Sequence, residues 1–287
     1  MSDLIEEARR RYAEELRFTA RLASRAVIDA FATVPRERFF GPGPWRVLSP
    51  MALGEYWTTE DADPRHVYHD VLIALDEARG INNGQPSLWA LLFDEVDIRT
   101  NDAVLHLGCG TGYYTAIAAE LTGPASKITA VEIDPDLAEK ACVALKPWPQ
   151  VTVSNVDGAR AKFDAVDVII ASAGATHPLP SWLDALKLSG RLMFPMTTTR
   201  EGPGAMLLVV RQDDEAFADR FIHRVGFIPF QGARNQGASR RLAVALRRDW
   251  GAAVRSLRRD QHPKTDTCWL HAKGWCLSRA LPAYAGP

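Results

Sequence analysis

Cysteine is scarce in this chain: four residues in 287, at 109, 142, 268 and 276. So few thiols, so widely spaced, exclude a small disulfide-stapled scaffold. Net charge is also scarce, at −1 from 34 Lys and Arg against 35 Asp and Glu. That excludes a chain coated with cations for nucleic acid. No apolar run approaches the roughly 18 residues of a membrane helix. The opening MSDLIEEARRR is charged and lacks the apolar stretch of a secretory leader. There is no internal repeat and no low-complexity tract. A cytoplasmic protein with free thiols and no membrane partner is expected.

What is present is an ordinary globular composition, 47% hydrophobic and 24% charged, which suffices for a sizeable core. The charge is unevenly spread. Residues 231–287 hold nine Arg and two Lys against three Asp, a net of +8, which leaves −9 for residues 1–230. A boundary is therefore placed at Gln231. Residues 3–33 read as one helix, with Leu16, Leu22, Ala26, Val27 and Ala30 at helical spacing, ended by Pro35. A Gly/Pro loop follows at 41–45. Residues 66–80 are ambiguous, 81-INNGQP-86 signals a turn, and 87–98 reads as a helix.

From residue 103 short apolar runs alternate with helical stretches. Strands are expected at 103–107, 128–133, 151–155, 166–171, 190–195, 206–211 and 221–227. Helices are expected at 112–122, 135–145 and 180–187, the second opened by Asp134 as N-cap and Pro135 at the first helical position. Such alternation implies a parallel sheet covered on both faces, and the closing strands, which lack helices between them, imply an antiparallel edge.

The strongest signal is 104-VLHLGCGTGYYTA-116. A buried strand runs into Gly108, Gly110 and Gly112, and a helix follows at once. Glycines let the backbone turn tightly and approach a ligand, and the helix offers free N–H groups. Glu132 ends the next strand 20 residues past Gly112, where a carboxylate can accept both ribose hydroxyls. Dinucleotide sites favour G-x-G-x-x-G, whereas this is G-x-G-x-G, and no Tyr-x-x-x-Lys pair for hydride chemistry is present. Asp157-Gly158, just past the third strand, sets an acid where it can reach an adenine amino group.

Together these elements resemble class I S-adenosylmethionine-dependent methyltransferases. The resemblance narrows with 29-DAFATVPRERFF-40, 67-VYHD-70, the Gln85-Pro86 loop, 164-DAVDVIIASAG-174, 182-WLDALKLSGRLMFP-195 and 226-GFIPF-230. In that order they resemble protein-L-isoaspartate O-methyltransferases over residues 15–230. The resemblance implies a carboxyl O-methyltransferase with S-adenosyl-L-methionine as cofactor and S-adenosyl-L-homocysteine as product. It implies an α/β, Rossmann-like fold: a mostly parallel seven-stranded sheet with an antiparallel edge, N-terminal helices and a small C-terminal appendage. Three segments follow: a helical and substrate-loop region at 1–100, the cofactor domain at 101–230 and a basic extension at 231–287. The implied cofactor site is Gly108, Gly110, Gly112, Glu132, Asp157 and Gly158, with His106, Cys109 and Ile133 adjoining. Substrate-loop candidates are Tyr68, Asn83, Gly84, Gln85, Pro86 and His177, and no metal is expected.

The sequence departs from the family in three places. Gly84 stands where the family carries a Ser or Thr that contacts the substrate carboxylate. His106 stands where an acid usually precedes the glycines. Residues 231–287 exceed the usual length. Three functions therefore stay open. One is carboxylate methylation of an isoaspartyl-type peptide. The second is a relative acting on a small molecule or a specific maturing peptide, selected by the tail. The third is a binding module that keeps the cofactor without turnover.

A carboxylate acceptor is already ionised at neutral pH and needs no general base. Alignment and exclusion of water remain the task. Tyr68, Trp89, Pro86 and 171-ASAGA-175 are expected to line the site. A phenol or alcohol acceptor would need a base, for which His177 is the nearest candidate, although the favoured reading makes it a loop residue.

In the tail, His262, Cys268, His271 and Cys276 allow a zinc reading. The favoured reading is a hairpin turning near Ala272, with Trp269 facing Trp275 and Cys268 facing Cys276. Cys268 and His271 would then point to opposite faces, a poor metal arrangement. The paired arginines of 239–260 read either as the solvated face of a packed helix and strand or as a dock for an acidic peptide or for the acidic main domain, with docking on the main domain the expected use. No recognition motif supports nucleic acid as a partner. The N-terminal helix reads first as a solvated face and second as a homodimer contact.

Overall fold

The computed structural model describes residues 2–49, 54–199 and 202–282. In chain order they form α1 (Ser2–Thr19), α2 (Arg25–Thr33), β1 (Arg46–Leu48), β2 (Trp57–Thr58), β3 (Leu72–Asp76), β4 (Ile81–Asn82), α3 (Pro86–Val96), β5 (Val104–Leu107), α4 (Tyr113–Thr122), β6 (Ile128–Glu132), α5 (Pro135–Ala144), β7 (Val151–Asn155), β8 (Val166–Ala171), α6 (Pro180–Asp184), β9 (Leu186–Thr197), β10 (Gly204–Arg211), β11 (Ala216–Arg224), α7 (Gln236–Asp249), β12 (Ser256–Arg258), β13 (Cys268–Ala272) and β14 (Trp275–Ser278). All seven strands expected from the sequence are present as β5–β11. Two compact units result, Met1–Asp102 with Cys109–Asn155, and Ala103–Gly108 with Val156–Pro287.

In the first unit the helix expected over 3–33 is two helices. Arg21 takes a left-handed φ of 53°. Ser24 then caps α2, its side chain accepting the Val27 N–H at 3.3 Å, while Asp94 accepts the Ala23 and Ser24 N–H groups. A side-chain acceptor at Ser24 competes with continued helix, so the chain breaks there. The ambiguous stretch 66–80 holds a 3-10 turn, Pro64–Val67, and β3. β3 joins an antiparallel sheet of order β2-β1-β3-β4. β6 and β7 pair in parallel, Ile128 opposite Val151 through Glu132 opposite Asn155. Asp134 caps α5 as expected, its Oδ1 accepting the Asp136 and Leu137 N–H groups at 3.0 Å each.

Arg36 organises this unit. It is fully buried, and its guanidinium donates to the carbonyls of Val67, His69 and Val71. It also lies over the rings of Tyr12, Phe40 and Tyr113. Each charge-assisted bond of this kind contributes about 1.5–3 kcal/mol. The motif 29–40 thus holds the motif 67–70 in place.

In the second unit β5 and β8 pair in parallel, as do β8 and β9. β5 is buried throughout and β8 at all but one position, the pattern of strands covered on both faces. β9, β10 and β11 run antiparallel, forming the expected edge. The tail was expected to be a separate appendage docked by charge. Instead it continues this edge: β12 pairs with β11, β14 with β12 and β13 with β14, all antiparallel. α7 packs against β13, with Trp269 Nε1 donating to Asp249 at 2.7 Å and Arg248 to the Trp269 carbonyl. The exposed pair Arg259–Asp184, 2.6 Å, is worth at most about 1 kcal/mol. Backbone pairing and apolar burial, not opposite net charges, join the tail.

The expected tail hairpin is present, with a different register. Ala272 faces Trp275, His271 faces Cys276 and Leu270 faces Leu277. Cys268 pairs with Ser278 after a register shift between Cys268 and Leu270. That irregularity adds a residue on one strand and turns Cys268 toward the side of His271, with Sγ and Nδ1 3.9 Å apart. The expectation that they point apart is therefore corrected.

Candidate active site

The first unit contributes Cys109–Gly112 and Glu132. Gly108, Gly110 and Gly112 have φ of 74°, 58° and 97°, the left-handed region that glycine enters without strain. Cys109 N–H bonds the Val131 carbonyl at 3.0 Å, tying the loop to β6. Glu132 is buried. Its Oε2 accepts the Gly110 N–H at 2.8 Å and its Oε1 the Asp134 N–H at 3.0 Å. Both oxygens are fixed and each keeps a lone pair for a further donor. Burial raises the Glu132 pKa. The Cys109 thiol is buried and pushed well above its usual pKa, so it is no thiolate nucleophile. Ile133 is exposed beside Asn155, whose Nδ2 donates to the Glu132 and Ile133 carbonyls.

The loop 83–86 lies in the same unit. Asp70 accepts from Gln85 Nε2 at 3.1 Å and from the Ser87 N–H at 2.8 Å, so 67-VYHD-70 anchors the start of α3, with Pro86 at its first position. Asn83 Oδ1 accepts the Ile73 N–H at 2.7 Å, while its Nδ2 is buried without a partner among the described residues. Tyr114, from the glycine motif, donates its hydroxyl to the Gly84 carbonyl at 3.0 Å. Trp89 stacks on Tyr114 with centroids 4.5 Å apart. Gly84 has φ 78°, and a Cβ there would overlap Trp89 Nε1 and lie 2.9 Å from its Cδ1. A hydroxyl-bearing residue therefore does not fit at 84. Tyr68 is not on this loop. It is buried, donating to Glu37 and accepting the Arg36 N–H, and burial together with Glu37 raises its pKa.

The other candidates lie in the second unit. His106 is buried on β5, its Nε2 2.7 Å from Ser172 Oγ. Burial lowers its pKa to about 4, so it is a neutral imidazole at neutral pH. Asp157 Oδ1 accepts the Ala159 N–H at 2.9 Å, and its Oδ2 lies 3.3 Å from Arg160. The Gly158 carbonyl accepts Trp182 Nε1 at 3.0 Å. The motifs 171–175 and 226–230 interlock through Gly174 N–H on the Ile228 carbonyl, 2.7 Å, and Phe230 N–H on the Gly174 carbonyl, 2.9 Å. His177 Nδ1 is 2.9 Å from Thr176 Oγ1. Burial first, then Arg234, lowers its pKa.

A sequence model of the protein-L-isoaspartate(D-aspartate) O-methyltransferase (PCMT) family matches residues 9–235. The chain belongs to this family. It is 32% identical over 210 residues to a protein-L-isoaspartate O-methyltransferase of Protochlamydia amoebophila, covering 72% of this chain and 88% of that one. It is 29% identical to protein-L-isoaspartate O-methyltransferase 2 of Archaeoglobus fulgidus, covering 79% and 94%. A solved protein-L-isoaspartate O-methyltransferase superposes with a TM-score of 0.64 at 23% identity, covering 78% of this chain and 67% of that one. The chain is thus a class I S-adenosylmethionine-dependent methyltransferase with an α/β fold. Residues 236–287 lie outside the family match.

Three positioning residues escaped sequence reading. Arg36 and Tyr114 act over 31 to 35 and 30 residues of chain, although both stand in motifs already noted. Arg234 donates to the carbonyls of Gly174, Thr197 and Thr198 and to Thr197 Oγ1. Its position beyond the last family motif gave no local signal.

Proposed function

We propose that this enzyme transfers the methyl group of S-adenosyl-L-methionine to a carboxylate on a peptide or protein, of the isoaspartyl type. One observation carries the reading: the Tyr114 hydroxyl on the Gly84 carbonyl couples the helix of the glycine motif to the loop 83–86. The loop that would border an acceptor is thereby fixed to the element that would border the donor.

The residues fit the cofactor. At Gly110 an added Cβ would meet Leu75 Cδ1 at 3.5 Å, so the positive-φ turn there is uncrowded. The fixed Glu132 carboxylate retains acceptor capacity for two ribose hydroxyls. The family resemblance assigns Asp157 and Gly158 to the adenine amino group and ring, and leaves His106, Cys109 and Ile133 as the remaining cofactor candidates. When bound, the cofactor supplies a methyl carbon activated on sulfonium. The chain's own task is then alignment and exclusion of water. An ionised acceptor needs no base. His177, with its lowered pKa and its bond to Thr176, is read as a loop residue. Asn83 Nδ2 is the donor that replaces the missing family hydroxyl toward the acceptor carboxylate.

The test is incubation of the full chain with methyl-labelled donor and an isoaspartyl peptide, with the aspartyl isomer as control. The expected product is a base-labile methyl ester on the isoaspartyl peptide alone. Donor binding without transfer to any acceptor would make the chain a binding module. Transfer only to another acceptor would overturn the substrate assignment.

A further inference from the structure

We infer that His262, Cys268, His271 and Cys276 form a structural zinc site in the C-terminal extension. Their ligand atoms all lie within 4.8 Å of one another. Cys268 Sγ is 3.6 Å from His262 Nε2 and 3.9 Å from His271 Nδ1. The two imidazole rings meet at 65° with centroids 4.9 Å apart. Four ligand atoms converging on one point, on rings that do not stack, is the layout of a tetrahedral site. The hairpin register creates it. His271 stands opposite Cys276, and the irregularity before Leu270 brings Cys268 round to join them.

The surroundings orient the ligands. His262 directs Nε2 toward Cys268, while its Nδ1 lies 3.2 Å from Asp260 Oδ2. A carboxylate behind a histidine fixes its tautomer and ring angle. Asp260 is itself held by both arms of Arg258, at 2.9 and 2.6 Å. Cys268 Sγ accepts the Thr265 N–H at 3.3 Å, which stabilises a thiolate. Cys268 and Cys276 are buried and not joined to each other. A disulfide would need neither imidazole.

Two thiolates with two imidazoles select Zn2+ over the harder divalent ions. All four positions are filled by protein, so the site is structural and leaves no position for a reacting water. On binding, each cysteine gives up its thiol proton to solvent. The ion fastens residues 259–267, which contain no helix or strand, to the β13–β14 hairpin. All four ligands lie outside the segment matched by the family.

The experiment uses untagged full-length protein purified under reducing conditions. Plasma mass spectrometry is expected to find about one zinc per chain. Replacing it with Co2+ should give the visible d–d bands of tetrahedral cobalt with a thiolate charge-transfer band. Cys268→Ser and Cys276→Ser should each lose the metal, while Cys142→Ser, at an exposed thiol, keeps it. Should the serine variants fail to fold, the wild type decides. Chelation should open residues 259–267 to limited proteolysis, and added Zn2+ should close them. A folded, reduced wild-type chain that takes up neither Zn2+ nor Co2+ overturns the site. So does a native Cys268–Cys276 disulfide.

Discussion

Two glycine turns of the first unit, at 110–112 and at 83–86, are held by different means. In the former, a carboxylate does the holding. Glu132 accepts backbone N–H groups from Gly110 and Asp134; a Cβ added at Gly110 would meet Leu75 Cδ1 in ordinary contact at 3.5 Å, while one at Gly112 would be crowded by Leu145. In the latter, packing does it. Trp89 occupies the space a Cβ at 84 would take, and Tyr114 holds the carbonyl. At Gly110, the less crowded of the positions compared, the turn suits a ligand that approaches backbone. The wedged turn suits a wall of fixed shape. Substitution should therefore strike binding at the first turn, and folding with transfer at the second.

The largest effect is expected at Glu132. Glu132→Ala removes the anchor of the turn at Gly110 and the acceptor proposed for the ribose. Affinity for S-adenosyl-L-homocysteine by calorimetry should fall roughly a thousandfold, about 4 kcal/mol. A fall of less than about tenfold would mean that the carboxylate serves the fold alone.

Gly84→Ser tests the wedge. Restoring the family hydroxyl looks attractive from sequence, yet the positive φ and the indole of Trp89 oppose it. The substitution should cost about 3 kcal/mol in urea unfolding and lower transfer. A stable variant with increased transfer would show that the indole yields.

His106, on the strand before the first turn, gives a pH test. Its folded pKa of about 4 lies below the ordinary 6.5. Between those values the unfolded chain holds a proton that the folded chain does not. This group's contribution is therefore lost as pH falls from 6.5 toward 4. At about pH 5 the loss relative to neutral pH is about 2 kcal/mol. His106→Gln should flatten the pH dependence of stability by that amount. Parallel curves for variant and wild type would contradict the buried neutral imidazole.

The smallest effect is expected at Asn83. Asn83→Asp keeps the oxygen that accepts the Ile73 N–H and removes the Nδ2 donor. kcat/KM should drop about tenfold, about 1.4 kcal/mol, with cofactor affinity unchanged. Loss of cofactor affinity instead would assign Asn83 to the fold.

The sequence revealed best what local chemistry dictates. Strands buried on both faces, such as β5 and β8, announce themselves as apolar runs, and the Asp134-Pro135 start of α5 follows from capping. Glu132 was legible because it lies a fixed distance past the glycines. The break at Ser24 was harder, because its cap is completed by Asp94, some 70 residues away. Arg36 and Tyr114 reach as far through space, and a charged or phenolic residue in a motif does not name its partner. In the tail the hairpin was readable but its register was not. One irregularity between Cys268 and Leu270 reversed the conclusion about which side chains share a face.

The account rests most directly on what Glu132 touches in a crystal of the full chain grown with S-adenosyl-L-homocysteine. It predicts both ribose hydroxyls on the Glu132 carboxylate and the sulfur turned toward residues 83–86. A ribose contacting neither Glu132 oxygen, with the loop 83–86 remote from the sulfur, would contradict it.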